Sequence, residues 1–213
     1  PRQPDLLLVV GFTHPDWKIT RKSIDLLTSV FFDRKQIRLN VYTGDDPLLG
    51  LTPGQVEVNG SVPERNHKLA LAEGRIARSQ LISTENSELF HALVLAEELN
   101  TGQWGLADVT PPANDLIVRS HLPVLGPDAL DYQAKVILHE LGHNLGLCHP
   151  TESDATCPSG AIPVAERNGG RSAMGTPAES AGPIEAMVEA LARPMDYSPS
   201  QWRNLQLFRL RAP

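Results

Sequence analysis

Residues 139–149 read His-Glu-Leu-Gly-His-Asn-Leu-Gly-Leu-Cys-His, and this run constrains the chain more than any other. A helix turns about 100° per residue, so His139 and His143 lie on one face, a turn apart. Two neutral imidazoles so placed can bind one Zn²⁺. Glu140 projects beside that face, within reach of a water at the metal. Gly146 offers a residue at ease with positive φ, where a helix can stop and turn. Beyond it, His149 can return as a third ligand. Three protein ligands leave a fourth position for water, the mark of a catalytic rather than a structural zinc. A chance His-Glu-x-x-His in a chain with 7 His is expected about 1% of the time; adding Gly146 and His149 lowers this to roughly a few in 100,000.

The chain has 213 residues, 41% of them hydrophobic, enough for one core and one domain, 1–213, of two lobes. Its net charge of −6, with no basic patch of the needed size, argues against a nucleic-acid partner. The longest apolar run, Leu6 to Phe12, is too short for a transmembrane segment. The sequence shows no signal-peptide pattern and starts abruptly at Pro1, so a trimmed mature domain is expected. Eighteen prolines and 16 glycines imply many turns.

The periodicity predicts a buried strand at 5–12, an amphipathic helix at 19–33 and an alternating strand at 36–43. Together they suggest a parallel βαβ unit. Residues 44–63 read as a surface loop with room for a short hairpin, and 68–79 as a weak helix. Residues 88–100 suit a buried helix or a strand equally. Residues 101–114 are turn-rich, and 115–120 form a short strand. Asp128 or Asp131 can cap the helix that carries Val136, Ile137, Leu138, Leu141 and Leu145. Residues 150–172 form a loop rich in small and polar residues. A short helix at 184–191 is expected to pack Met187, and a final helix to open at Ser198 and Pro199. His14, His67, His91 and His121 read as ordinary surface or core residues.

Cys148 and Cys157 stand nine residues apart. A disulfide that clamps the third ligand's loop, two free thiols, and ligation by Cys148 are the alternatives. A disulfide would favour a secreted or otherwise extracytoplasmic setting.

At 139–149 the chain resembles a metzincin zinc peptidase. Asn114-Asp115-Leu116-Ile117-Val118, Gln133, and the Cys, Ser-x-Met and Asp-Tyr-Ser that follow are similar to a bacterial secreted branch. The resemblance implies a mixed α/β (α+β) fold. An upper lobe, about 1–146, would hold a twisted mixed sheet with helices. A small irregular lower lobe, about 147–213, would hold the third His, a Met-turn and a C-terminal helix. Met174 is the first candidate for that turn and Met195 the alternative, with core packing the plain reading of either. Thr176 stands where the family's Met-x-Tyr has Tyr, so Tyr197 is the candidate for any tyrosine assist. The implied activity is zinc-dependent endopeptidase cleavage of a protein or peptide, with Glu140 as general base and acid. A substrate would pair with an edge strand, for which Leu116, Ile117 and Val118 are the candidates. The competing readings are a zinc-site binding or toxin module without turnover, and a narrow aminopeptidase or amidase.

Overall fold

A computed structural model describes residues 5–63, 67–108, 114–120 and 129–147. It begins with strand β1 (Asp5–Phe12), helix α1 (Arg21–Lys35) and strand β2 (Arg38–Tyr42). β1 and β2 pair in parallel, from Asp5 against Arg38 to Val9 against Tyr42. The expected βαβ unit is therefore present. Thr20 caps α1 by accepting from the Ser23 N–H. Gln36 ends it in the left-handed conformation, its N–H donating to the carbonyls of Phe31 and Phe32.

The two-residue strand β3 (Lys68–Leu69) leads into helix α2 (Leu71–Leu81). Glu73 reaches back to accept from the Ala70 N–H, satisfying one orphan donor of the first turn. Residues 88–100 resolve into strand β4 (His91–Ala96) and the two-residue β5 (Glu98–Leu99), which pairs with β3. β4 lies between β1 and a later strand, β7 (Asp115–Arg119), and is buried at all six positions. A strand covered on both faces loses its polar alternation, so its sequence cannot be told from a buried helix.

Strand β6 (Gly105–Ala107) lies in the stretch expected to be only turns, and β7 (Asp115–Arg119) follows it. The five-stranded sheet runs β2-β1-β4-β7-β6, parallel except for β6. Helix α3 (Ala129–Asn144) comes last. It starts at Ala129, which puts Asp131 inside the helix rather than at its cap; Asp128 lies outside the described residues.

Both faces of the sheet are covered. α1 and α3 bury Leu27, Phe31, Ile137, Leu138 and Leu141 against Leu6, Leu8, Leu93 and Leu116. On the opposite face, Ala77 and Leu81 of α2 pack with Val9, Val94 and Ile117. Leu51, Val56 and Val58 join that second cluster. The 44–63 segment is thus a loop with a buried lining, tied to the sheet by Phe12 N–H to Gly54 O and Val56 N–H to Phe12 O. The chain has a mixed α/β fold with a mostly parallel sheet. No helix among the described residues is long and apolar enough to cross a membrane. Of the expected lower lobe, about 147–213, all but Leu147 lies outside the described residues.

Candidate metal centre and active site

The last turns of α3 carry His139, Glu140 and His143, packed over the sheet beside β6 and β7. The imidazoles of His139 and His143 are neighbours, centroids 4.9 Å apart with planes at 82°. His143 is buried, and its Nδ1 lies 2.9 Å from the carbonyl oxygen of Leu147. A carbonyl only accepts, so Nδ1 carries the proton, and in the neutral ring Nε2 keeps the lone pair. That is the tautomer and the second hydrogen bond a metal-ligating histidine needs. The Leu147 carbonyl reaches His143 because the chain turns back at Gly146, whose φ is +84°. The 146 N–H donates to His143 O and the 147 N–H to Gly142 O, closing the helix.

Glu140 is 5% exposed. Burial pushes its carboxyl up from an ordinary 4.5 to about 8. Against it lies Gly105 of β6: a β-carbon built there would fall 2.6 Å from Glu140 Cγ, 2.7 Å from Cδ and closer still to Oε1. The carboxyl therefore rests directly on strand backbone. Tyr132, two turns earlier on α3, is buried edge-on to Trp104 with ring centroids 5.2 Å apart. Burial raises its phenol; Arg119 opposes that rise and Glu140 adds to it.

Two polar anchors hold α3 in place. Gln133 accepts from the Thr20 N–H at 3.2 Å and donates to the Ser120 hydroxyl at 3.0 Å, tying the helix to the start of α1 and the end of β7. Asn144 donates to the carbonyls of Asp108 and Asp115, and its Oδ1 accepts from His91 Nδ1 at 3.1 Å. His91, read as an ordinary surface or core residue, is buried, and it reaches the residue next to His143. Asp108 is itself paired with Arg75 of α2. Nothing in the local spacing of His91, Asp108 or Gly105 signals these roles, because each depends on strand order.

The edge-strand expectation is corrected. Leu116, Ile117 and Val118 belong to β7, which pairs with β4 on one side and β6 on the other. All three are fully buried, so β7 is an interior strand. Among the described residues, β6 is the outer strand at the β7 end of the sheet, and β2 at the other. Arg119 N–H donates to Trp104 O and Asp108 N–H to Asp115 O. In an antiparallel ladder these bonds make Leu106–Ile117 the hydrogen-bonded pair and turn the N–H and C=O of Gly105 and Ala107 away from β7. The outer edge thus presents backbone groups beside the Glu140 carboxyl.

The donor chemistry fits a zinc ion: two adjacent imidazoles, one held in the metal-ligating tautomer by the Leu147 carbonyl. Among the described residues no group of three His, Cys, Asp or Glu comes together. The third candidate ligand, His149, lies outside them, as do Cys148, Cys157, Met174, Met187, Met195, Tyr197 and His121. His14 and His67 sit apart from the site: His14 accepts from the Asp16 N–H, and His67 meets Glu73.

The fold is similar to that of archaemetzincin. Against the crystal structure of archaemetzincin from Methanopyrus kandleri the TM-score is 0.58 at 17% identity, over 96% of this chain and 97% of that one. Metalloproteinase-II from Bacteroides fragilis matches 71% of this chain and 45% of its own, with a TM-score of 0.42 at 15% identity. No family model matches the sequence, and no curated protein does. At these identities the likeness to archaemetzincin is one of fold.

Proposed function

We propose that this chain is a zinc-dependent endopeptidase of the metzincin type. The observation that carries the reading is the joint placement of His139, Glu140 and His143 on the closing turns of α3, against an antiparallel outer strand. His139, His143 and, by sequence, His149 would hold the ion. Bound zinc supplies a Lewis acid that acidifies a water and polarises a carbonyl.

The chain's own residues supply the rest. The Leu147 carbonyl holds the His143 ring and its tautomer. Glu140 accepts the proton of the attacking water and delivers it to the leaving amine, a base turned acid. Its packing against Gly105 of β6 keeps the carboxyl in one place for both roles. An extended peptide would pair with the outward N–H and C=O groups of Gly105 and Ala107. The scissile bond would then run beside the carboxyl. This moves the substrate strand from 116–118, where the sequence suggested it, to 105–107.

A binding or toxin module without turnover would have no need of the buried carboxylate, which is costly to retain. An aminopeptidase would need an acidic anchor for the substrate amine close to the metal. The deciding experiment is product mapping by mass spectrometry on a peptide library, with metal analysis of the same sample. Internal cleavage that stops with chelator and returns with zinc is expected. Trimming only at amino termini, or no cleavage by zinc-loaded protein, would overturn the reading.

A further inference from the structure

Glu140 has almost no solvent around it, and one wall of its enclosure is a residue without a side chain. The contact involves the body of the side chain, Cγ and Cδ, as well as the carboxylate oxygen. Real β-carbons essentially never approach other heavy atoms closer than 3.0 Å. Any side chain at 105 would have to turn Glu140 away, and Glu140 is itself buried, which leaves it little room to move. The same residue, Gly105, turns its N–H and C=O to the outer edge. One residue thus meets the carboxyl with its α-carbon and the edge with its peptide groups.

We propose that Gly105 is a positioning residue: its missing side chain seats the Glu140 carboxyl against the outer strand, next to the backbone that would pair with a substrate. The consequence for turnover rests on the peptidase reading above; the seat itself does not. Gly105 fixes where the proton acceptor stands relative to a peptide lying on β6. A misplacement of about 1 Å in such a group costs on the order of 100-fold in rate.

The test compares wild type, Gly105→Ala, Glu140→Ala and the double variant. In metal-free thermal unfolding, Gly105→Ala is expected to lower Tm by roughly 4–8 °C, as overpacking does in a chain of this size. The same substitution in the Glu140→Ala background is expected to cost little, because the truncated side chain has vacated the space. In zinc-loaded protein, Gly105→Ala is expected to lower kcat by at least about 10-fold with KM and zinc content unchanged. A Tm loss of equal size in both backgrounds would overturn the seat, since the strain would then lie in the strand itself. So would a rise in KM at unchanged kcat. Should Gly105→Ala fail to fold, recovery of folding in the double variant supports the seat, and failure of both refutes it. If wild type cleaves nothing, the peptidase reading falls while the unfolding comparison still decides the contact.

Discussion

The two faces of the sheet bury similar apolar side chains but hide very different polar ones. The α2 face is held by Leu81, Val56, Val94 and Ile117, with a partly buried ion pair, Arg78 to Asp115 at 3.0 Å. Burial of Asp115 outweighs the pull of Arg78, so its carboxyl sits above its ordinary range. The α3 face buries Gln133, Glu140, His143 and Asn144 on a single helix. Gln133 and Asn144 are satisfied by backbone and side-chain groups of other segments. Burial of Glu140 raises its carboxyl above the ordinary range. A helix that served packing alone would gain by replacing these groups with apolar ones. The difference teaches that the α2 face is built for stability and the α3 face for a site that stability must tolerate.

The largest effect that can break this division is on turnover. Glu140→Ala is expected to abolish cleavage, by about 1,000-fold or more, while zinc stays bound. Cleavage at the wild-type rate, read by product analysis beside elemental zinc, would remove the base. Next in size, His143→Ala and His149→Ala are each expected to weaken zinc binding more than about 100-fold. A chelator competition that finds wild-type affinity in either variant would strike that ligand from the site.

Leu81→Ala probes the other face. It is expected to cost about 2–4 kcal/mol in denaturant unfolding, with kcat and zinc content per folded molecule unchanged. A fall in kcat would mean that the two faces are not separable. Smaller still, Ala107→Pro removes one outward N–H of β6 and leaves the ladder to β7 intact. KM for an extended peptide is expected to rise roughly 10-fold at similar kcat, as loss of one well-placed hydrogen bond allows. An unchanged KM would place the substrate elsewhere.

The last prediction concerns pH in the metal-free protein. Glu140 is raised in the folded state, so the unfolded chain gives up that proton first. Its contribution to stability is complete below about pH 4.5 and is lost as pH rises through about 8. The slope it adds is at most about 1.4 kcal/mol per pH unit. Glu140→Gln is expected to flatten the Tm profile between those limits. A profile identical to wild type would show that the carboxyl is hydrated in solution.

Much of this was legible beforehand where burial is one-sided. α1 and β2 alternate with solvent, so Leu27, Phe31, Ile37 and Leu39 announce their periods. β4 did not, because both its faces are covered. β6 was missed because three residues led by a glycine carry no period at all. The 44–63 segment looked like surface because its turn residues outnumber Leu51, Val56 and Val58, which are nonetheless core.

The sequence by itself determined the chemistry of α3: a pair of imidazoles a turn apart, a carboxylate between them and a glycine to end the helix. Those follow from helical spacing and side-chain type, which are local. Only the tertiary structure decided which strand lies outermost, that His91 and Asp108 hold Asn144, and that Glu140 rests on Gly105. Each of these depends on strand order across the sheet, and strand order comes from burying both faces at once, which no short window of residues records.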